Sequence, residues 1–293
     1  MAYRDITDTV KNPRIVVSKF GNIKDEEADY IIKLMKECYS RLEPHEVALV
    51  DLYIFKHSSS MDAFTAKESK EVGVSSSSVD ELFFAMHDAY RGISRILLCL
   101  ESMQKLPKLV QVGGIRHEVG HSVLHGSPSY YLLPLPLSLL DFIGRFKVSR
   151  QYATNLFYLV SIAVKDYEVS RLLYGRGYVE DQLAYAKHML KVTESDERSW
   201  ELSRENPLAE ILCLVSCLKP AGCAAVFLSD KRLSGKIERL LAESLSYLPT
   251  EYSTRLLDMI PKSFATLGTD TISNIDNMAR LVVENIAKPI LTK

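Results

Sequence analysis

The chain has 293 residues, of which 47% are hydrophobic and 25% are charged, a composition typical of a soluble globular protein with one large domain or two ordinary ones. Its formal net charge is -1 at pH 7, and acidic and basic residues are interleaved, so no overall field would recruit nucleic acid or an anionic membrane surface. We therefore predict neither a nucleic-acid partner nor a membrane partner.

The N-terminal segment does not have the pattern of a secretory signal, because residues 1–24 are polar and charged with only short apolar runs. The most apolar stretches are Tyr130–Leu140 and Leu156–Val164, and both are shorter than the roughly 20 residues that span a bilayer. Pro134 and Pro136 make the first of these a predicted loop or extended segment. We therefore predict a cytoplasmic protein.

The first hundred or so residues predict a region of mixed helix and strand. Residues 25–39 carry apolar side chains at helical spacing and predict an amphipathic helix, whereas residues 47–55 are β-branched and aromatic and predict a strand. Residues 56–79 are polar and rich in serine and predict a mobile loop. Residues 81–86 and 93–100 predict two further strands. An edge strand of this small sheet, beside the helix that follows, could pair with an extended peptide.

His117, Glu118 and His121 form the most informative pattern in the chain, His-Glu-x-x-His. Residues four apart lie one turn apart on one face of a helix, so His117 and His121 can place two imidazole nitrogens on one zinc ion. Glu118 is rotated by about 100° from His117, where it can reach a water at the metal without occupying a ligand position. The pattern predicts a zinc site with a general base, and the alternative is a surface helix that carries two histidines by chance.

The flanking residues predict a helix over about 107–125 that carries this motif in its last two turns. Pro107 suits the first helical position, because its missing N–H costs nothing there. Gly126 suits a left-handed residue that ends the helix, and a proline follows shortly after. Gly113 and Gly114 are unfavourable inside a helix by about 1 kcal/mol each. They either allow a strand or the substrate to approach the helix backbone, or mark where the helix begins.

Three residues at the end of this helix are predicted to lie near the site without binding the metal. His125 is rotated by about 80° from His117 on an ideal helix, so it does not easily join the same tetrahedron. It could support a ligand, face the cleft, contact substrate or cap the helix end. Tyr130 and Tyr131 follow the helix and are candidates, with His125, for a donor that stabilises an oxyanion.

A catalytic zinc site has three protein ligands and one open position, and we predict the third ligand on a helix over about 152–173. Asp166 falls on the apolar face of that helix, where an acidic side chain is costly unless it is paired or bound to a metal. Glu168 is the alternative ligand, on the face predicted to be more solvated. Ser170, four residues after Asp166, could orient a ligand histidine. Both acids could instead form ion pairs with basic residues on the helix surface.

The second half of the chain is strongly helical and carries no further chemical motif. Residues 193–206 are polar, and we predict a boundary there between a core of residues 1–192, which contains the motif, and a helical subdomain of residues 193–293. Helical spacing covers residues 152–173, 180–190, 207–218, 230–247, 251–260 and 271–286.

The five cysteines are scattered and odd in number, which argues against a disulfide framework. Cys213, Cys217 and Cys223 could suggest a metal site. The apolar, helical sequence around Cys213 and Cys217 favours cysteine as a small buried hydrophobic residue instead.

The segment His117–Gly126 resembles the active helix of zincin metallopeptidases. Its residues His-Glu-Val-Gly-His-Ser-Val-Leu-His are similar to the His-Glu-Leu-Gly-His-x-x-Leu-His pattern of the ImmA/IrrE-like peptidases, and they also look like a group of uncharacterised archaeal predicted metallopeptidases. The resemblance implies a small sheet, an active helix bearing both histidines, and a second helix with an acidic ligand. The close match to these patterns is limited to about ten residues. Leu124 stands where the metzincin pattern has glycine, and the gluzincin Glu-x-x-x-Asp pattern is not matched at Asp166–Ser170.

Motif and resemblance together predict an α+β, predominantly helical protein with a zincin-like core. The predicted function is hydrolysis of an intracellular peptide or protein, with one Zn²⁺ ion held by His117, His121 and Asp166 (or Glu168) and with Glu118 as the general base. The alternative is a regulatory or interaction protein on a zincin scaffold, with a structural or sensing zinc site.

Overall fold

The computed structural model describes residues 12–72 and 84–292, which form an α+β protein that is mostly helical, as predicted. Its internal contacts divide these residues into two compact units. The first contains the described residues up to Leu132 together with Gly175–Tyr185, and the second contains Leu133–Tyr174 and the residues from Ala186 onward. The two units therefore meet in the chain after Leu132, at Gly175 and after Tyr185, and not at the predicted boundary between residues 192 and 193.

The described residues of the first unit form a four-stranded sheet with helices around it. Its strands follow the order β1-β2-β4-β3, with β1, β2 and β4 parallel to one another and β3 antiparallel at one edge. The elements up to the motif helix are β1 (Arg14–Phe20), α1 (Asp25–Arg41), β2 (Leu49–Phe55), α2 (Ser58–Val72), β3 (Ala85–Asp88), β4 (Ser94–Cys99), α3 (Leu100–Gln104) and α4 (Lys108–His125).

The predicted strands over residues 47–55 and 93–100 are confirmed as β2 and β4. The predicted strand over residues 81–86 falls partly outside the described residues, and its described part begins β3. Strand β1 adds a parallel edge that the sequence analysis did not predict.

The predicted loop over residues 56–79 is wrong for its described part, which forms α2, while residues 73–79 lie outside the described residues. Serine favours loops when no packing competes, but here Met61 and Phe64, three residues apart, give the helix an apolar side. They pack with Phe55 and Leu97 of the sheet in one hydrophobic cluster. Tertiary packing therefore overrides the low helix propensity of the serine run.

Strand β3 directs alternate side chains to opposite faces of the sheet, as a strand must. On one face, Met86 joins the cluster that contains Met61 of α2. On the other face, His87 stacks on His121 of α4, with ring centroids 6.0 Å apart. The edge strand thus presents His87 to the helix that carries the motif.

A buried ion network fixes the edge strand to its neighbours. The guanidinium of Arg95 on β4 donates to both carboxylate oxygens of Asp88 on β3, at 3.0 and 2.8 Å, and to both oxygens of Glu68 on α2, at 2.8 and 2.9 Å. Tyr90 also accepts from Arg95, at 3.1 Å. Because the two carboxylates bind the charged guanidinium, the pKa of Arg95 is raised despite its burial. One side chain therefore connects three elements around β3.

Helix α4 begins at Lys108 and ends at His125, close to the predicted limits, with Pro107 as the residue before its first turn. The prediction for Gly126 is wrong, because its φ of -74° is not left-handed. Glycine is still required there, since a Cβ would collide with the carbonyl oxygen of Ser122.

Gly113 and Gly114 lie inside α4, so they do not mark its beginning. A Cβ at Gly113 would lie 2.5 Å from the carbonyl oxygen of Asp181, and a Cβ at Gly114 would collide with the ring of Phe84, just before β3. The side-chain amide of Gln182 also donates to the carbonyl oxygen of Gly113, at 2.9 Å. The two glycines therefore allow close approach to the helix backbone, which was one of the two predicted roles.

The second unit is helical. Its elements are α5 (Leu137–Phe146), α6 (Arg150–Gly175), α7 (Glu180–Met189), α8 (Glu194–Ser203), α9 (Pro207–Ser216), α10 (Leu218–Ala225), α11 (Ser234–Ser244), α12 (Thr250–Ala265), α13 (Thr271–Val282) and α14 (Lys288–Leu291), with α7 beginning in the first unit and α6 ending there. The side chains of Asn206 and Asp270 accept hydrogen bonds from the first turns of α9 and α13, as their positions predict.

The predicted loop or extended segment over Tyr130–Leu140 is confirmed for residues 131–136, but its last residues begin α5 directly after Pro136. The polar stretch 193–206, where a boundary was predicted, contains α8, which begins with a capping box between Thr193 and Asp196. In both cases a residue that disfavours a helix interior is well placed just before the first turn.

The segment Pro207–Ser229, which covers α9, α10 and a 3-10 turn, is long and apolar enough to span a membrane by length and composition. However, 67% of its most apolar window is buried inside the protein, as in the core helix of a soluble protein. It is the one such stretch in the part of the chain that the structure describes, and it is weak evidence for a membrane span.

Candidate metal centre

The two motif histidines face each other on α4. His117 is 1% exposed, and its Nε2 atom lies 3.2 Å from Nε2 of His121. The rings meet edge to face, with centroids 4.8 Å apart. The helix has therefore brought together the two ring nitrogens that the sequence predicted as ligands.

This separation fits a shared zinc ion. Two imidazole nitrogens bound at about 2.0–2.1 Å to a tetrahedral zinc ion lie about 3.3 Å apart. The 3.2 Å between the Nε2 atoms of His117 and His121 matches that spacing, and neutral imidazole is a preferred zinc ligand. The donor pair in the first unit is therefore suited to zinc.

His125 extends the row of imidazoles by one more turn. It is fully buried, and its Nδ1 atom lies 3.2 Å from Nδ1 of His121. His121 thus presents Nε2 to His117 and Nδ1 to His125. When Nε2 of His121 serves a metal, its one ring proton must be on Nδ1, where His125 can accept it. Of the roles that the sequence left open for His125, the contact favours support of a ligand.

Glu118 lies on α4 between the histidines in sequence and is 5% exposed. An ionised carboxylate is costly to bury unless it has polar or charged company, so a buried glutamate within a His-Glu-x-x-His motif is a functional candidate. Its position is the one that the motif requires of a base.

Helix α4 is anchored by hydrogen bonds to α1 and to residues 175–185. Burial raises the pKa of Tyr39 on α1, so this hydroxyl keeps its proton and donates it to Oγ of Ser122 at 2.6 Å, while Ser122 donates to the carbonyl oxygen of Val119 at 2.7 Å. Arg116 donates to Asp181 at 2.9 Å and to Glu37 at 2.9 Å. These contacts fix the rotation of α4 about its axis, and with it the direction of the histidines.

His87 is a functional candidate that the sequence analysis missed. Its ring lies parallel to that of His121, with an interplanar angle of 6°. Its Nδ1 atom is 2.8 Å from the hydroxyl oxygen of Tyr131, and its Nε2 atom is 2.6 Å from Oγ of Ser94. The motif points to no residue on the edge strand, but the alternation of β3 puts this histidine on the α4 face.

Tyr130 and Tyr131, both predicted near the site, are placed differently. The ring of Tyr130 meets that of His125 edge to face, with centroids 5.4 Å apart. The hydroxyl of Tyr131 reaches His87 instead. The ring centroid of Tyr185, in the Gly175–Tyr185 segment of the first unit, lies 5.0 Å from the ring centroid of His117.

Both candidates for the third ligand lie on α6 in the second unit and are buried, Asp166 at 6% and Glu168 at 4% exposure. The predicted solvated face for Glu168 is wrong, because α6 is buried continuously from Ala163 to Ser170. Ser170 itself is 2% exposed.

The contacts of the two acids within the second unit differ. Glu168 accepts from Thr271 at 2.7 Å and from Asn274 at 2.5 Å, one bond to each carboxylate oxygen. Asp166 has the thiol of Cys223 at 3.8 Å from Oδ2, a weak contact. Burial also lowers the pKa of the adjacent Lys165 to about 8 against the charges of both acids. Within the second unit, Glu168 therefore accepts two close hydrogen bonds, whereas the contact of Asp166 with Cys223 is weak.

The cysteines behave as the sequence analysis favoured, as buried or partly buried residues on apolar helices. Cys217 contacts the carbonyl oxygen of Cys213 at 3.5 Å and the hydroxyl of Tyr247 at 3.4 Å. Cys223 contacts Asp166 instead of Cys213 or Cys217. No pattern in the sequence predicted this contact between Cys223 and Asp166.

Comparison with known proteins adds no further constraint: no protein-family model matches the chain, and neither a curated protein nor a solved structure matches it.

Proposed function

We propose that this protein is a zinc-dependent peptidase whose zinc is held by His117 and His121 and whose general base is Glu118. The observation that carries the proposal is the 3.2 Å separation of the two Nε2 atoms, which is close to the roughly 3.3 Å spacing of two histidine nitrogens on one tetrahedral zinc ion. Glu118, which is buried on the same helix, would act as the general base that removes a proton from the attacking water.

In this proposal a bound zinc ion lowers the pKa of water and polarises the carbonyl group that is attacked. Glu118 takes a proton from the water while the water oxygen bonds to the carbonyl carbon of the substrate. Glu118 then delivers that proton to the amine nitrogen as the C–N bond breaks. His125 accepts the Nδ1–H of His121, so that the Nε2 lone pair of His121 remains directed toward the metal. The sheet and α1 hold α4 in place through the step.

The edge strand supports a peptide as the substrate class. Among the strands of the described residues, β3 is terminal in the sheet, and its His87 stacks on His121 of α4. An extended peptide can add to such an edge through main-chain hydrogen bonds, which read no particular side chain. We therefore propose a peptide or an unfolded protein segment as substrate. The cytoplasmic location stays a prediction, as does the choice of Asp166 over Glu168 as the third protein ligand.

The first test is metal content. Purified protein loaded with zinc and dialysed should retain one zinc ion per chain by elemental analysis, and His117→Ala and His121→Ala should each reduce this below a tenth of the wild-type occupancy, because one imidazole remains. The matched control is His57→Ala, since that side chain is 63% exposed in the β2–α2 connection and should leave zinc content unchanged. The same assay on Asp166→Asn and Glu168→Gln compares the two third-ligand candidates.

Zinc-loaded protein is then incubated with a mixture of unstructured peptides, and the products are identified by mass spectrometry. Cleavage that chelation abolishes and zinc restores supports the proposal. Stoichiometric zinc without any cleavage would replace it by the regulatory alternative, and protein that binds no zinc would refute both.

A second prediction concerns His125. His125→Ala should weaken zinc binding about 10- to 100-fold, because the Nδ1–H of His121 loses its acceptor and the ring loses its orientation. His125→Asn, whose amide oxygen can occupy a similar position, should recover part of this loss. Zinc affinity is measured by competition with a chelating dye. Equal affinity in wild type and His125→Ala would show that the contact is packing alone.

A further inference from the structure

The sheet of the first unit ends in β1 on the side opposite to β3. This strand covers Arg14–Phe20 and pairs with β2 at each of its 7 residues, so the pairing contains no bulge. Among the described residues, no strand pairs with the other edge of β1. An edge of this kind presents a row of backbone donors and acceptors to which another chain can add as a strand.

The pairing with β2 determines which backbone groups of β1 point outward. The N–H of Arg14 donates to the carbonyl oxygen of Ala48, at 2.9 Å, and the carbonyl oxygen of Phe20 accepts from the N–H of Lys56, at 2.9 Å. Because successive residues of a strand direct these groups to opposite edges, the even-numbered residues of β1 face β2. The outward N–H and C=O groups belong to the three residues between them, Ile15, Val17 and Lys19.

Strand β1 lacks the features that usually keep an exposed edge from pairing. Such edges are protected by proline, by bulges or by charges that repel another strand. Residues 14–20 contain no proline. The ammonium group of Lys19 is bound to the carboxylate of Asp25 in its own chain, at 2.6 Å, which neutralises the charge in the outward row. Val16 is apolar and 40% exposed. The edge is therefore suited to strand pairing.

We propose that two copies of this protein associate through β1, antiparallel about a two-fold axis at Val17, so that their sheets join into one. This inference does not depend on the peptidase function proposed above. The axis places Ile15 opposite Lys19 of the second copy and Val17 opposite Val17 of the second copy. Every outward N–H and C=O group of β1 then pairs with an outward group of the other copy, as an antiparallel ladder requires.

The side chains in this register are also complementary. On one face, the aliphatic stem of Lys19 lies along Ile15 of the second copy, while its ammonium group stays with Asp25. On the other face, the guanidinium of Arg14 lies opposite the ring of Phe20 of the second copy, a favourable cation–π pair. Since β1 provides both halves of each contact, its sequence favours a second copy over an unrelated peptide.

Sedimentation velocity over a range of protein concentrations tests the association. Wild type should be a dimer that dissociates on dilution. Ile15→Lys places two ammonium groups opposite each other, whereas Ile15→Glu places a carboxylate opposite Lys19. The dimer dissociation constant should therefore be about tenfold or more higher for Ile15→Lys than for Ile15→Glu. Both variants put one charge at the same half-buried position, so a defect in folding would affect them alike.

A disulfide test reports the register. Val16 lies opposite Ser18 of the second copy in a pair without main-chain bonds, where the Cα atoms are about 4.5 Å apart, within disulfide range. A mixture of Val16→Cys and Ser18→Cys proteins should therefore form a disulfide-linked dimer under mild oxidation. Each variant alone is the control, because two copies of residue 16, or of residue 18, are diagonal neighbours about 7–8 Å apart.

The two measurements decide the inference together. Dimeric wild type, a weaker Ile15→Lys dimer and crosslinking of the mixture support it. Wild type that is monomeric at every concentration would overturn it and leave the edge of β1 to a strand of another protein. Equal dissociation constants for the two Ile15 variants, or crosslinking of Val16→Cys alone in preference to the mixture, would also overturn it. Zinc binding and peptide cleavage are separate readouts, so neither result bears on the proposed function.

Discussion

Replacing Glu118 by Gln should lower the rate of peptide hydrolysis by about 10²- to 10⁴-fold, the range that a positioned general base contributes. The amide has nearly the same shape as the carboxylate but cannot take the proton of the attacking water. Because His117 and His121, not Glu118, are the proposed ligands on α4, zinc content should stay at the wild-type value. Rate and metal content are measured on the same preparation, by peptide cleavage and elemental analysis.

The control for this variant is Glu46→Gln, a change of the same charge at an exposed position before β2. It should leave both quantities unchanged. If Glu118→Gln cleaves peptides at the wild-type rate, the proposed mechanism is wrong even when zinc is bound. If it loses zinc together with activity, then Glu118 acts as a ligand and another group must be the base.

Arg95→Met should destabilise the protein by about 3–5 kcal/mol in the free energy of unfolding, the usual result of removing one partner from a buried ion network. Arg95 is 4% exposed and donates to both oxygens of Asp88 and of Glu68. Without it, two carboxylates remain buried side by side without their shared cation. Urea unfolding of the metal-free protein at constant pH measures the difference.

Arg91→Met is the matched control, because Arg91 contacts the same Glu68 at 3.1 Å but is 45% exposed. An exposed pair of this kind contributes about 0–1 kcal/mol. The deficit of Arg95→Met should also shrink between about pH 7 and about pH 4.5, since burial raises the pKa of Asp88 and loss of the guanidinium raises it further. A raised pKa in the folded state means stability that is present at low pH and lost as the pH rises. A deficit below about 1 kcal/mol would show that the network does not hold β3.

The parts of the fold that the sequence predicted well are those that local residues determine. Helix α4 is bounded by Pro107 and by the glycine after His125, and the approach of His117 to His121 follows from a four-residue spacing within one helix. The strands β2 and β4 follow from runs of β-branched and aromatic residues. In these cases residues close in the chain decide the structure.

The errors arise where distant residues decide. Helix α2 forms from a serine-rich segment because Met61 and Phe64 find partners on the sheet. Glu168 was placed on a solvated face, but Thr271 and Asn274, more than a hundred positions later, enclose it. His87 enters the site because the antiparallel pairing of β3 with β4 directs it to α4. None of these pairings leaves a periodic pattern in the sequence near the residue concerned.

The first unit is discontinuous in the chain, and this has a consequence for how the protein is made. The chain leaves this unit after Leu132 and returns to it at Gly175–Tyr185, which provides Asp181 to Arg116 and Gln182 to the backbone of Gly113. A ribosome that adds about 5–20 residues per second therefore releases the whole of α4 several seconds before these partners exist. During that interval the close-packed side of α4 at Gly113 stays open to other contacts. An N-terminal fragment that stops at Leu132 would carry every residue of the His-Glu-x-x-His motif and still lack the segment that closes over its helix.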